Sequence, residues 1–188
     1  MTLNKIRKIL ALALIVGSAH GFPPAIALAT TASAIDRDAR SVLDKLYKRI
    51  PGAKALADKA VAVLVFPSIV KGGFIIAGQY GDGALTKRGK SVAYYRSLSA
   101  SYGYQAGIQS FGYVLFFMDN ASLEYLNNSD GWELGVGPSL VVLDEGFGKQ
   151  LSSTTLQKGV YAFIFDQTGL MAGMGIQGTK ITRINPNS

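Results

Sequence analysis

The sequence predicts an α+β fold in which N-terminal helices pack on a strongly bent antiparallel β-sheet, closed or nearly closed into a barrel. Three observations support this prediction. Apolar residues recur at helical spacing near the start of residues 35–188, and short apolar runs that alternate at period two follow them. The same residues hold 20 of the 22 glycines, so the frequency of glycine in them is about twice the average of ~7%. Because many of these glycines lie inside apolar segments, they permit the bends and bulges of a curved sheet.

The first 34 residues have the three parts of a secretory signal peptide. Basic residues precede an apolar run over residues 9–16, and small residues then lead to Ala34. The apolar run is shorter than the ~20 residues that a membrane-spanning helix needs. We therefore expect cleavage after Ala34 and export to the periplasm or the medium. Residues 35–188 then form a single domain, whose net charge is +4 instead of the +7 of the whole chain. An uncleaved N-terminal anchor is the alternative.

The composition excludes several classes of function. The chain has no cysteine, which excludes disulfides, thiolate catalysis and zinc–sulfur sites. Its single histidine, His20, lies in the predicted signal peptide, so the mature chain has no imidazole for a catalytic triad or a metal site. The only adjacent acidic pair is Asp144 and Glu145, and neighbours on a strand point to opposite faces. We expect no enzymatic activity, no cofactor and no metal ion.

Residues 35–50 are predicted to form an amphipathic helix. Ile35, Ala39, Leu46 and other apolar residues follow one stripe, and the basic residues fall outside that stripe. Pro51 and the glycine after it are expected to end this helix. A second, shorter helix is predicted over residues 53–60, where alanine, lysine, leucine and aspartate favour helix over strand.

The next segments are predicted to be strands. Residues 61–66 form a β-branched apolar run, which Pro67 is expected to close. Residues 92–110 alternate, with apolar residues at even positions, so the even-numbered face is expected to be buried. They form two strands or one strand bent near Gly103, and residues 113–118 continue as a buried strand.

The remaining patterns predict shorter elements. Glycines 81 and 83 around Asp82 are typical of a turn. Asn120 is expected to cap a helix over residues 121–126. Trp132 is interpreted as a core or interface anchor at the start of a strand over residues 132–143. A hairpin is predicted from residues 160–165, a turn at 166–169 and residues 170–176.

Glycine-containing motifs along these strands resemble the SYLF family of lipid-binding domains. The matching stretches are Lys71-Gly72-Gly73-Phe74, Gly81-Asp82-Gly83-Ala84-Leu85, Tyr102-Gly103-Tyr104-Gln105-Ala106-Gly107, Gly135-Val136-Gly137-Pro138, Lys158-Gly159-Val160-Tyr161 and Gly178-Thr179-Lys180-Ile181. The order and the spacing of these motifs resemble those of the family over about residues 36–184. The chain looks closest to the exported bacterial branch, since no SH3 or FYVE module stands beside the domain. Yeast members of the family are associated with actin.

The resemblance implies binding of anionic lipids through an N-terminal amphipathic helix, which by position is residues 35–50. Eukaryotic relatives bind phosphatidylinositol lipids, whereas a bacterial envelope offers phosphatidylglycerol, cardiolipin or lipopolysaccharide. The charge distribution is consistent with binding of anionic lipids by this helix, because residues 35–59 hold seven basic and four acidic side chains. Interleaved acids disfavour nucleic acid, and an anionic, membrane-associated surface is the better match. The residues predicted to bind lipid are Arg37, Arg40, Lys45, Lys48, Arg49 and Lys54.

Two alternatives stay open at the level of the sequence. The apolar stripe of residues 35–50 fits a helix inserted in a bilayer and equally a helix packed on the protein core. Export and aromatic-rich alternating strands also fit an integral outer-membrane β-barrel. The sequence does not indicate the lipid headgroup, the protein partners or the oligomeric state.

Overall fold

The computed structural model describes residues 30–143, 158–168, 176 and 178–187. Within them lie three helices and six strands, which are α1 (Ala32–Arg49), α2 (Pro51–Lys59), β1 (Ala62–Lys87), β2 (Lys90–Phe117), α3 (Asn120–Asn128), β3 (Trp132–Glu133), β4 (Leu140–Leu143), β5 (Val160–Thr168) and β6 (Lys180–Ile184). The predicted signal sequence before residue 30 lies outside the described residues. So do the acidic pair at 144–145 and nearly all of the predicted strand 170–176.

Helices α1 and α2 confirm the two predicted N-terminal helices. The Thr31 hydroxyl oxygen caps α1 by accepting a hydrogen bond from the backbone N–H of Ala34 at 3.2 Å. The helix therefore begins three residues before the predicted start, and the predicted cleavage point after Ala34 falls in its first turn. Ile50 is extended and separates the two helices. Helix α2 begins at Pro51, a first-turn position where the backbone N–H that proline lacks would have no helical partner.

Strands β1 and β2 form one long antiparallel hairpin. A two-residue turn, Arg88 and Gly89, joins them with φ of 50° and 76°, the signs that a type I′ turn requires. The prediction that Pro67 ends the first strand is wrong, because β1 continues past it through a register shift. A second register shift lies opposite Gly103, so residues 92–110 belong to a single strand that bends there.

The other edge of β2 carries two further strands. Strand β5 pairs with residues 110–117 and β6 with residues 94–98, while β4 and β3 extend the sheet beyond them. The β4–β5 pair is parallel, so the sheet is mixed, although the sequence predicts antiparallel pairing. The sheet curls through 236° into a half-barrel. The predicted α+β fold with a strongly bent sheet is confirmed, and the sheet is open rather than closed.

The two ends of β1 meet in space. The Thr86 hydroxyl donates a hydrogen bond to the carbonyl oxygen of Val63 at 3.2 Å. A Cβ atom at Gly83 would overlap the carbonyl oxygen of Val65, and one at Gly81 would lie 2.5 Å from the carbonyl oxygen of Ser68. The turn predicted at residues 81–83 is therefore wrong. These glycines lie inside the strand, where they allow close approach of two backbones.

The sheet is buried on both faces at the start of β1. Leu64 and Phe66 lie in one core cluster with Tyr113, whereas Val63 and Val65 lie in a second cluster with the buried residues of α1 and α2. This double burial explains why residues 61–66 read as an uninterrupted apolar run. The prediction of a buried strand at this position is confirmed.

The prediction that the even-numbered residues of segment 92–110 face the core is wrong. Val92, Leu98 and Ile108 are 48%, 43% and 76% exposed, whereas Tyr95 and Ser97 on the odd-numbered face are buried. Buried polar residues are tolerated on this face because they form hydrogen bonds with one another. The Tyr113 hydroxyl, for instance, donates to the Ser97 hydroxyl at 2.8 Å.

Two predictions for the segment that follows β2 differ from the structure. Asp119 rather than Asn120 caps α3, since its carboxylate accepts a hydrogen bond from the N–H of Ser122 at 2.8 Å. The strand predicted over residues 132–143 is two short strands, β3 and β4. Trp132 is 1% exposed and donates its indole N–H to the carbonyl oxygen of Val136 at 2.8 Å, which confirms its role as a core anchor.

Candidate functional site: a cationic surface around a cleft

The apolar stripe of α1 is covered by the rest of the protein. Ile35, Ala39, Leu46 and the following Ile50 are each no more than 2% exposed and belong to the core cluster that also contains Val63 and Val65 of β1. Val42, Leu43 and Tyr47 pack against the same core. The stripe therefore stabilises the fold, and in this structure it is not available for insertion into a bilayer.

All six residues predicted to bind lipid are exposed, and three of them form ion pairs. Arg37 pairs with Asp38 and Arg49 with Asp166, both at 3.0 Å, and Lys54 pairs with Asp58 one helical turn away. Exposed pairs of this kind contribute only about 0–1 kcal/mol. Their cations therefore remain able to exchange a carboxylate for another anion.

Arg40, Lys45 and Lys48 have no ion-pair partner within the described part of the chain. At about 100° per residue, Arg40 and Lys48 lie on the side of α1 opposite the buried stripe, and Lys45 lies at the edge of that side. Asp44 lies between them. The outward face of α1 is thus cationic with one interspersed acid.

Sequence reasoning missed a second cationic element, the turn of the long hairpin. Lys87, Arg88 and Lys90 are all exposed and form no ion pair among the residues described. The signal was present as three basic residues within four positions, at a glycine between two strand patterns. Lys87 and Arg88 line a shallow hollow of about 590 Å³ with Ala60 and Val61, so the turn lies beside the end of α2.

A cleft of about 470 Å³ lies where α1, α2 and this turn meet. Leu43, Ala57, Ala60 and Val63 supply apolar lining, and Arg40, Lys54 and Arg88 bring one cation from each of the three elements. The volume falls within the ~300–1,000 Å³ typical of small-molecule sites. The structure thus brings Arg40 and Lys54 of the predicted set together, whereas Arg37, Lys45, Lys48 and Arg49 do not line the cleft.

Two carboxylates and a phenol also line the cleft, with Thr86. Asp44 and Asp58 oppose the three cations, which leaves a net charge of +1. Burial, followed by the negative charges of Asp58 and Asp44, raises the pKa of Tyr47 to about 12. Its hydroxyl therefore stays protonated at neutral pH and can donate a hydrogen bond. The Lys54 ammonium lies 6.0 Å from the centre of the Tyr47 ring.

No three histidine, cysteine, aspartate or glutamate side chains in the described part of the chain come together as a possible metal site. None of the helices described is both long enough and apolar enough to cross a bilayer.

Residues 98–186 match the family model of Ysc84, described as the Las17-binding protein actin regulator. This match confirms the resemblance to the SYLF-domain family. No curated protein matches the chain. At the level of the family, the match suggests lipid-related or actin-related binding. Helices α1 and α2 and the Arg88–Gly89 turn all precede the matched residues.

Proposed function

We propose that this chain, a SYLF-family protein by its residues 98–186, binds anionic phospholipid surfaces reversibly and carries out no enzymatic reaction. Export by the predicted signal peptide would place the protein in the periplasm or outside the cell. The anionic lipids that we expect it to bind there are phosphatidylglycerol and cardiolipin. The family match supports lipid-related binding in general. The choice of an anionic surface is supported by the charges around the cleft.

The observation that carries the proposal is the excess of exposed cations on three adjoining elements. Residues 35–59 and 87–90 hold ten basic side chains against four acidic ones, and all of them except Asp36 are exposed. A lysine or arginine near an anionic leaflet contributes about 1 kcal/mol. A surplus of six therefore supplies several kcal/mol at low ionic strength.

Burial of the apolar stripe sets the mode of binding. Since Ile35, Ala39 and Leu46 are in the core, α1 can contact a membrane only through its outward side chains. We therefore propose docking at the level of the headgroups, driven by charge. Such docking weakens as salt screens the charges.

Vesicle co-sedimentation with a graded content of phosphatidylglycerol in phosphatidylcholine tests the proposal. The protein is purified in the form that the exporting cell yields, and the double variant R40E/K48E is compared with K180E/R183E. Both variants change the net charge by the same amount, but only the first alters the outward face of α1, since Lys180 and Arg183 lie on β6. We expect pelleting to rise with phosphatidylglycerol, to be lost in R40E/K48E and to persist in K180E/R183E.

Three results would contradict the proposal. One is equal pelleting with purely zwitterionic vesicles, and another is no pelleting at any content of phosphatidylglycerol. Turnover of generic ester or glycoside substrates by the purified chain would contradict its non-enzymatic part.

A further inference from the structure

We propose that the cleft between α1, α2 and the Arg88–Gly89 turn binds the headgroup of a single glycerophospholipid, with Arg40, Lys54 and Arg88 around its phosphodiester. This inference rests on the proposed function and goes beyond it. Diffuse attraction requires only a cationic surface, whereas the cleft provides one site with a defined shape and a defined set of donors.

The shape of the cleft suits a headgroup with a short apolar continuation. Its volume is ~470 Å³, and alanines, Leu43 and Val63 supply apolar lining beside the charged residues. Sites that bind small molecules combine a mostly apolar wall with a few convergent polar groups. The cleft has this composition.

The charges of the cleft match a phosphodiester better than a phosphomonoester. Three cations against Asp44 and Asp58 leave a net +1, which complements the single negative charge of a diester. Two guanidinium groups, from Arg40 and Arg88, can each form paired hydrogen bonds with phosphate oxygens. The ammonium of Lys54 has three donors, so it can keep Asp58 and still contact the ligand.

The carboxylates and the phenol indicate what the headgroup carries besides phosphate. Asp44 and Asp58 can accept hydrogen bonds from hydroxyl groups, and the Tyr47 hydroxyl can donate one. A headgroup with free hydroxyls, such as glycerol, satisfies both kinds of partner. A bare phosphate carries up to two negative charges at neutral pH, so the two carboxylates would repel it more strongly than a diester.

The backbone at Arg88 provides a separate line of support. Its φ of 50° is in the left-handed region, where a type I′ turn ordinarily has asparagine or aspartate before glycine. A long non-glycine residue at such an angle destabilises the turn, and strained residues cluster at binding sites. Here the residue at the strained position is one of the two turn residues that line the cleft, and it is the charged one.

The matched variants R88N and K90Q test the inference. Each removes one positive charge from the same turn, but Lys90 does not line the cleft. Asparagine followed by glycine is the preferred type I′ sequence, so R88N is expected to fold, and its circular dichroism and melting temperature verify this. On vesicles of phosphatidylglycerol and phosphatidylcholine, we expect R88N to lower the affinity about tenfold or more and K90Q about threefold to fivefold.

A soluble probe distinguishes the headgroup from the membrane and from free phosphate. Glycerophosphoglycerol is titrated into the ¹⁵N-labelled protein at constant ionic strength, beside inorganic phosphate and a polyglutamate peptide. We expect saturable NMR shifts for the amides of Ala57, Ala60 and Gly89 with glycerophosphoglycerol alone. Equal shifts with inorganic phosphate, or saturable binding of the peptide and not of glycerophosphoglycerol, would overturn the inference.

The two proposals fail in different ways. If the unsubstituted protein does not bind phosphatidylglycerol vesicles, the proposed function is wrong. If it binds them but R88N and K90Q lose equal affinity, only the headgroup site is wrong. In that case the turn acts through its charge alone.

Discussion

Two adjacent stretches of the long hairpin have opposite environments. Every residue from Gly81 to Leu85 is buried, and the backbone there lies against the start of β1. Every residue from Lys87 to Lys90 is exposed, and none of these four residues forms an ion pair with another described side chain. Only Thr86 separates the two stretches.

This difference indicates that the buried stretch determines the fold and that the exposed stretch is available to contact a ligand. In the buried stretch Gly81 and Gly83 are required by space, because even a methyl group at Gly83 would overlap backbone, and Asp82 is held by its ion pair with Arg96. In the exposed stretch no packing constrains the side chains, and their charge is the property that matters. Substitutions in the first stretch should therefore change stability, and those in the second should change binding.

The largest effect is expected for G83A. Its new Cβ would overlap the Val65 carbonyl oxygen and approach the Phe66 ring to 2.7 Å, so the two ends of β1 must separate. We expect the free energy of unfolding to fall by about 3 kcal/mol or more, measured by urea denaturation.

The matched control is G78A, the same change in the same strand. A Cβ at Gly78 has nothing within 4 Å, so we expect this variant to be as stable as the unsubstituted protein or up to about 1 kcal/mol more stable. If the two variants lose equal stability, the close contact between the ends of β1 is not what holds the curled sheet.

An intermediate effect is expected where Asp119 holds the other end of the hairpin. Its carboxylate accepts hydrogen bonds from the N–H of Ser122 at 2.8 Å and of Gly159 at 2.6 Å, which ties β2, α3 and the start of β5 together. We expect D119A to lower the free energy of unfolding by about 2 kcal/mol at pH 7 in urea denaturation. D119N, which keeps an acceptor at the cap, should lose less.

The pH dependence of this contribution follows from the pKa of Asp119. Burial alone would raise that pKa, but the hydrogen bonds from Ser122 and Gly159 outweigh it and lower the pKa below its usual value. The ionised carboxylate therefore stabilises the fold fully above pH ~4, and this stabilisation is lost as the pH falls through the lowered pKa. The difference in stability between the unsubstituted protein and D119A should shrink below pH ~4, and a constant difference would contradict this assignment.

The smallest effects on stability are expected in the exposed turn. R88N relieves a positive φ that arginine adopts poorly, so we expect a gain of about 0.5 kcal/mol in the free energy of unfolding. K90Q should change it by no more than about 0.5 kcal/mol. A loss above about 1 kcal/mol in K90Q would show that the turn also contributes to the fold.

The elements that depend on local patterns could be predicted from the sequence. The period of the apolar residues places α1, Pro51 separates it from α2, and the continuous run at residues 61–66 indicates a strand buried on both faces. The abundance of glycine indicates a strongly bent sheet. Each of these features depends on residues close together in the chain.

The features that depend on distant contacts could not be predicted. The alternation in β2 shows two faces, but it does not reveal that the more polar face is the buried one. That face can be buried because Ser97 has a hydrogen-bond partner in Tyr113, which is distant in sequence. Pro67 suggests that the strand ends there. The register shift that accommodates it could not be predicted, because it is a property of the β1–β2 pair.

The cleft likewise needs the folded chain. Arg40, Lys54 and Arg88 meet only because α1 and α2 lie beside the end of the hairpin. Single-sequence reasoning identified the first two as part of a helical surface. It did not identify Arg88, because arginine before glycine is not a usual signal for a type I′ turn.

The most direct test of the central claim is the salt dependence of vesicle binding. Association with phosphatidylglycerol vesicles is measured by co-sedimentation at about 50 mM and about 500 mM NaCl, which shortens the screening length roughly threefold. The account predicts strong binding at low salt that is largely lost at high salt, and no binding to phosphatidylcholine at either. Binding that is unchanged by salt, or that is equal on both kinds of vesicle, would contradict it.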